Sequence, residues 1–289
     1  MKVFPASELI LNADGTIFHL HLKSEQVADT ILLVGDPGRV DTIAGLLHDI
    51  ECKVCNREFV TVTGWYGEKR ITVVGTGIGT DNIDIVLNEL DALANIDLNT
   101  RTEKPVKKSL TFVRIGTCGG MQPDLPVGSF LISEKSIGFD GVLHFYAGRN
   151  QVCDLEFEKA FCQHMEWPSD MAHPYVVSAD PGLVKRIGQD DMHLGVTISA
   201  NGFYGPQGRE LRIPLAKPDM NARLESFSYG KYRITNYEME SSAVAGLSAL
   251  LGHKAMTVCV VIANRLAKEA KTDYQTAMRE LIKKVLERL

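Results

Sequence analysis

Short runs of β-branched and aliphatic residues alternate along this chain with segments whose apolar residues recur at helical spacing, and this alternation restricts the fold more than any other feature. Ile31 to Val34, Ile71 to Val74, Phe112 to Ile115, Tyr175 to Val177 and Val258 to Ile262 read as strands, several of them apolar throughout and so buried on both faces. Between them Ile83, Val86, Leu87, Leu90, Leu93 and Ala94 share one helical face, as do Ala277, Leu281, Ile282, Val285, Leu286 and Leu289 in the last segment. The pattern predicts an α/β protein with a helix-flanked, mainly parallel sheet. A hairpin through Thr63-Gly-Trp-Tyr-Gly67 adds an antiparallel element.

No repeat, low-complexity tract or Pro/Gly/Ser-rich linker divides the 289 residues, so one compact domain, 1–289, is expected. A domain of this size buries roughly 75% of its unfolded surface, enough to enclose a water-poor pocket. The segment Asn99-Thr-Arg-Thr-Glu-Lys-Pro-Val-Lys-Lys108 is polar and charged, and reads as an exposed loop.

The net charge of -5 gives no general attraction for nucleic acid or anionic membrane, so any anion must be bound by local cations. No apolar run reaches the roughly 18 residues of a membrane span, and no secretory leader is recognisable; a cytoplasmic location is expected. Six irregularly placed cysteines fit reduced thiols, and Cys52-x-x-Cys55 has no second pair with which to hold a metal.

Two strand ends carry arginines. Arg114-Ile-Gly-Thr117-Cys-Gly-Gly120 runs from an apolar strand into small residues whose backbone N–H groups can face an anion. Ile31-Leu-Leu-Val-Gly35-Asp-Pro-Gly-Arg39 is a strand, a tight turn and a second arginine at the mouth of a helix, with Asp36 as turn or cap residue. Ligands of α/β sheets collect at the carboxyl ends of strands, so both segments can meet one oxyanion.

Common nucleotide and hydrolase signatures are absent. Gly75-Thr-Gly77-Ile-Gly79-Thr80 lacks the third glycine of the dinucleotide fingerprint, and no Walker, nucleophile-elbow or zinc-helix pattern occurs. Two polar clusters remain. Phe203-Tyr-Gly-Pro-Gln207-Gly-Arg209 offers an aromatic ring, an amide and a guanidinium suited to the edge of a planar heterocycle. Asn236-Tyr-Glu238-Met239-Glu240-Ser sets two carboxylates, good acceptors for vicinal sugar hydroxyls, before an Ala/Leu-rich helix. Taken alone, Glu238 also reads as a helix N-terminal charge. His144, His164, His173, His193 and His253 have no chemical company and default to structural or surface roles.

The motifs VGDPGR, TGIG, RIGTCGG, FYGPQGR and NYEMESS, in this order from about Phe18 to Arg265, resemble those of the uridine-cleaving branch of the nucleoside phosphorylase-I family. The resemblance implies a single-domain, three-layer α/β/α fold with a twisted mixed sheet. It implies a pentosyltransferase of pyrimidine salvage that reversibly converts uridine and orthophosphate into uracil and ribose 1-phosphate.

It also implies roles. Phosphate is held by Gly35, Arg39, Arg114 and Thr117, with Arg57 lent by a neighbouring subunit. Ribose meets Glu238, Met239 and Glu240, with His19, rather than the nearby His21, supplied by the neighbour. Uracil meets Phe203, Gln207 and Arg209, so that Arg114, Glu240, Gln207 and Arg209 form the catalytic set. A homo-oligomer, dimer or hexamer of dimers, follows from such shared sites.

No cofactor or catalytic metal is implied, orthophosphate being a co-substrate. Some members place K+ at the dimer interface, but Thr80-Asp-Asn82 replaces their usual continuation after TGIG and does not support that site. The extension 1–17 and the loop 99–108 are longer than usual. Purine-cleaving members carry an aspartate after the late strand, whereas Val260-Val-Ile-Ala-Asn-Arg265 has no acid; nucleosidases lack the phosphate arginines; a non-catalytic nucleoside binder would not need them.

Overall fold

The computed structural model describes residues 2–264, 269–270 and 273–289; Arg265, the last residue of the late-strand segment, lies outside them. Ten strands follow one another across the central sheet, in the order Ser228–Tyr229, Tyr232–Glu238, His193–Ser199, Phe130–Gly138, Lys254–Asn264, Thr111–Gly120, Thr30–Val34, Lys69–Gly75, Phe59–Tyr66 and His48–Asn56. Tyr175–Ser178 and Glu269–Ala270 pair onto it from the side. The sheet is mixed. Thr30–Val34 is parallel to both its neighbours, while the strands from His48 to Gly75 form an antiparallel meander and Lys254–Asn264 runs antiparallel to Phe130–Gly138.

The apolar runs work as the sequence suggests. Ile31 and Leu33 point into one core and Leu32 and Val34 into the other, as the two-residue period of a strand buried on both faces requires. The first core lies beneath the helices Thr80–Asn95 and Ser241–Leu251, with Ile83, Val86, Leu87 and Leu90 fully buried. The second lies beneath Pro37–Ala44, Pro181–Gly188 and Gln275–Arg288, whose Leu281, Ile282, Val285 and Leu286 face it. The three α/β/α layers are thus present.

One expectation needs correction. Arg114 does not end its strand: Thr111–Gly120 continues through it, and its glycines pair with Lys254–Asn264. The ladder to Thr30–Val34 stops at Ile115, however, and that to Tyr232–Glu238 begins at Gly119, so Gly116, Thr117 and Cys118 are paired along one edge only. The stretch 99–108 is exposed over most of its length and anchored at its base: Thr102–Glu103 pairs with Ile96–Asp97, and Lys104 Nζ donates to the carbonyls of Leu93 and Ala94. The extension 1–17 is packed down, with Leu9 and Ile17 buried and Arg101 donating to the carbonyls of Phe4, Pro5 and Leu9.

Cys52 and Cys55 lie three apart on one antiparallel strand, so their side chains leave opposite faces and do not converge. Among the described residues no helix is long and apolar enough to cross a membrane.

Candidate active site

Arg114 projects from the middle of the sheet and is only 4% exposed, which excludes a surface role. Its guanidinium is held by two carboxylates that lie more than 120 positions away in sequence: Nη1 stands 3.0 Å from Glu238 Oε2, and Nη2 pairs with Glu240 Oε2. Nη1 also faces Cys259 Sγ at 3.7 Å. These carboxylates raise the Arg114 guanidinium above its ordinary value against the opposing effect of burial, so the charge is permanent. The side chain folds back over Gly116, where even a Cβ would meet Nη1 at 2.4 Å.

The two glutamates are positioned by the start of the Ser241–Leu251 helix. Glu238, the last strand residue, accepts from the Glu240 and Ser241 amides at 2.9 Å and from Ser241 Oγ at 2.6 Å. Its carboxylate therefore serves the helix N-terminus, the role a lone acid at that position suggests. Glu240 accepts instead from the Gly79 amide at 2.8 Å. The G-x-G-x-G loop thus does more than pack: Gly77 and Gly79 adopt φ of +71° and +100°, which present that amide to Glu240. Burial raises the Glu240 carboxyl above its ordinary value, the Glu238 charge adds to this, and Arg114 opposes it.

Arg39 enters from the helix after Gly35, whose first turn Asp36 caps by accepting from the Gly38 amide at 2.9 Å. Arg39 Nη1 donates to the Ile115 carbonyl at 3.2 Å, at the point where the ladder between the two strands ends. Gly35, Arg39, Arg114 and Thr117 are thereby gathered around the open edge of Gly116–Cys118. Among the described residues the buried Nε donors of Arg39 and Arg114 have no hydrogen-bond partner, Arg39 Nε standing 3.9 Å from Asp36 Oδ2. A buried donor left unsatisfied costs about 1–3 kcal/mol, a cost that an oxyanion would remove.

The loop with Phe203, Gln207 and Arg209 forms its own cluster. Arg209 stacks on the Phe203 ring at 3.9 Å and donates to Gln207 Oε1 at 2.6 Å. Gln207 is 3% exposed and Phe203 52%, so the amide is enclosed while the ring on which Arg209 stacks stays partly open to solvent.

His19 and Arg57 lie together elsewhere. Arg57, at φ +53° in the turn between His48–Asn56 and Phe59–Tyr66, stands over the Phe18 ring at 5.1 Å, and Phe18 packs edge-on against His19. Asn56 Nδ2 donates to the His19 carbonyl at 2.7 Å. Among the described residues no hydrogen bond or ion pair joins His19 or Arg57 to Arg114, Glu240 or Gln207. His21 is tied to its own loop through Asn12 and Asp14.

A family model described as "Phosphorylase superfamily" matches residues 29–289. The chain belongs to the phosphorylase superfamily. A uridine phosphorylase of Thermococcus kodakarensis is 29% identical over 93% of this chain and 85% of its own length. A purine nucleoside phosphorylase of the DeoD type from a Geobacillus strain is 28% identical over 93% and 96%. Among solved structures, a Trypanosoma brucei nucleoside phosphorylase, described as showing uridine phosphorylase activity, superposes with a TM-score of 0.88 at 31% identity, covering 97% of this chain and 99% of that one.

Sequence reading passed over one residue that holds the candidate His19. Glu89, on the Thr80–Asn95 helix, accepts from His19 Nδ1 at 2.7 Å and from the His19 and Leu20 amides at 2.9 and 2.8 Å. No local signal separates it from the other acids of that helix, because its partners are some 70 positions upstream. Met239 and Thr117 are half-buried, on the segments that carry Glu240 and Arg114.

Proposed function

We propose that this phosphorylase superfamily member cleaves uridine with orthophosphate, giving uracil and ribose 1-phosphate, and so acts as a pentosyltransferase of pyrimidine salvage. The observation that carries the reading is the Arg114–Glu240 pair, which couples a would-be phosphate cradle to a would-be sugar acceptor through one guanidinium. Gly35, Arg39, Arg114 and Thr117 would hold phosphate, with Arg57 of a second copy of the chain. Glu240 and Met239 would meet ribose, with Glu238 holding the helix N-terminus and Arg114 in place beside them, and His19 would come from the second copy. The clustering of His19 with Arg57 supports a shared site, since one neighbour could deliver both.

In the reaction a phosphate oxygen attacks C1′ as the glycosidic C–N bond breaks and its electron pair passes to the base. The arginines hold and orient the nucleophile by charge-assisted contacts. Gln207 Oε1 has two acceptor positions, so it can take uracil N3–H while still accepting from Arg209, which in turn faces O4. These contacts strengthen as negative charge grows on the departing uracil and therefore favour the transition state. Cytosine lacks the N3 proton and presents a donor towards Arg209, which leaves buried groups unpaired at about 1–3 kcal/mol each. No cofactor takes part.

The relatives include a purine phosphorylase, but no acid stands where purine-cleaving members are read to carry one: Asn264 occupies the strand end and donates to the Gln122 and Leu125 carbonyls at 2.9 and 2.8 Å. The test is chromatography of uridine, inosine and cytidine incubated with purified protein, with and without orthophosphate. Phosphate-dependent cleavage of uridine alone is the expected result. Cleavage without phosphate would make the protein a hydrolase, and cleavage of inosine would reassign the base.

A further inference from the structure

A cavity of about 740 Å3 shares Tyr204 and Arg209 with the base-reading loop but is not lined by Phe203 or Gln207. This volume is in the range of small-molecule sites. Phe139 and Met220 are buried in its wall beside Trp167, while Leu211 and Ile213, 72% and 83% exposed, form an apolar rim. Solvent-facing aliphatic side chains gathered at the mouth of a cavity mark a surface that gains from being covered.

Among the described residues the lining contains Arg209, Arg212 and Lys217 and no carboxylate, while Glu210, outside the lining, accepts from the Leu215 amide at 3.2 Å. Lys217 is answered by Asp219 at 3.3 Å, outside the lining, but Arg212 has no ion-pair or hydrogen-bond partner among the described residues. Arg209 gives its hydrogen bonds to neutral oxygens, those of Phe203 and Gln207. Burial pulls its guanidinium below the ordinary value, and the groups that oppose this are tyrosines, not carboxylates. An occupant carrying negative charge would meet complementary charge here, from the exposed Arg212 at the rim above all, and a cation would be repelled.

We propose that this cavity is a second ligand site, for a small apolar monoanion whose aliphatic or aromatic body lies against Phe139, Trp167 and Met220 and whose carboxylate or sulfonate meets Arg212. Binding does not depend on the uridine reading.

The chain has two tryptophans, Trp65 and Trp167, so a Trp65→Phe variant leaves Trp167 as sole emitter inside the wall. Titration of that variant with 8-anilinonaphthalene-1-sulfonate should show saturable energy transfer from Trp167, reversed by octanoate but not by 1-octanol. Adding Arg212→Glu should weaken the probe about tenfold or more, with the far-UV circular dichroism unchanged. If that variant misfolds, Ile213→Asp tests the same rim. Absence of saturable transfer, equal displacement by octanol, unaltered affinity in a folded rim variant, or displacement by uridine with phosphate would each overturn the proposal, the last by placing the probe in the nucleoside site. Failure of uridine turnover in the same preparation would leave the fluorescence result standing, so the two readings fail separately.

Discussion

Arg114 can reach Glu240 only because residue 116 has no side chain: a Cβ there would stand 2.4 Å from Nη1 and 3.0 Å from Cζ. Gly116→Ala should therefore push the guanidinium off both carboxylates and away from its proposed phosphate contact, while leaving the base-reading residues untouched. The expected loss in kcat/KM for uridine phosphorolysis is about 10- to 150-fold, as for a buried charge-assisted contact worth about 1.5–3 kcal/mol. Unchanged kinetics in a folded Gly116→Ala protein would show that the pose of Arg114 does not matter to turnover.

Glu89 should matter through His19 alone. Glu89→Ala removes the acceptor of the His19 ring and of two backbone amides. The KM for uridine should rise about tenfold, in line with one lost charge-assisted hydrogen bond, while that for phosphate stays near its parent value. Equal changes in both constants would indicate general loosening of the fold rather than misplacement of one imidazole.

If Arg57 acts in a neighbour's site, two inactive variants should rescue each other. Arg57→Ala and Gln207→Ala, each nearly inactive alone, would yield on unfolding and refolding together a fraction of mixed oligomers with one intact site. Recovery of up to about a quarter of parental activity is expected from random pairing into dimers. No recovery, with mixed oligomers verified by mass, would place Arg57 outside the site.

The Glu240 titration gives a stability signature. Its carboxyl is raised above the ordinary value of about 4.3, chiefly by burial, so the folded chain binds this proton more tightly than the unfolded one. The corresponding stability is present below the ordinary value and is lost as pH rises through the raised one. Glu240→Gln has no such titration, so its stability relative to the parent should improve as pH rises from about 4.3 through the raised value, a window spanned by measurements from about pH 4 to neutrality. Urea melts at both ends of this window would show it, and a constant difference would contradict the sign.

Layers and helix faces were legible because the buried runs are uniformly apolar, as in Ile31–Val34. Phe130–Gly138 and His193–Ser199 were not read as strands, since the first has Ser, Glu and Lys at its centre and the second mixes Gly and Thr with its aliphatics. Of the candidate site, the types and places of the arginines and glutamates could be read locally. Their mutual arrangement could not, because Arg114 and Glu240 meet only when the sheet brings their strand ends together. The backbone openness at Gly116–Cys118 was read from small residues after a strand end, whereas it arises within a continuous strand from two neighbouring ladders that stop short of one another.

The clamp of Arg101 on the carbonyls of Phe4, Pro5 and Leu9 makes the first residues of the chain a mooring line. Slack at that mooring would be felt downstream by the segment that bears Phe18 and His19. A change at Arg101 would thus be felt in the segment whose His19 is proposed to serve a second copy of the chain.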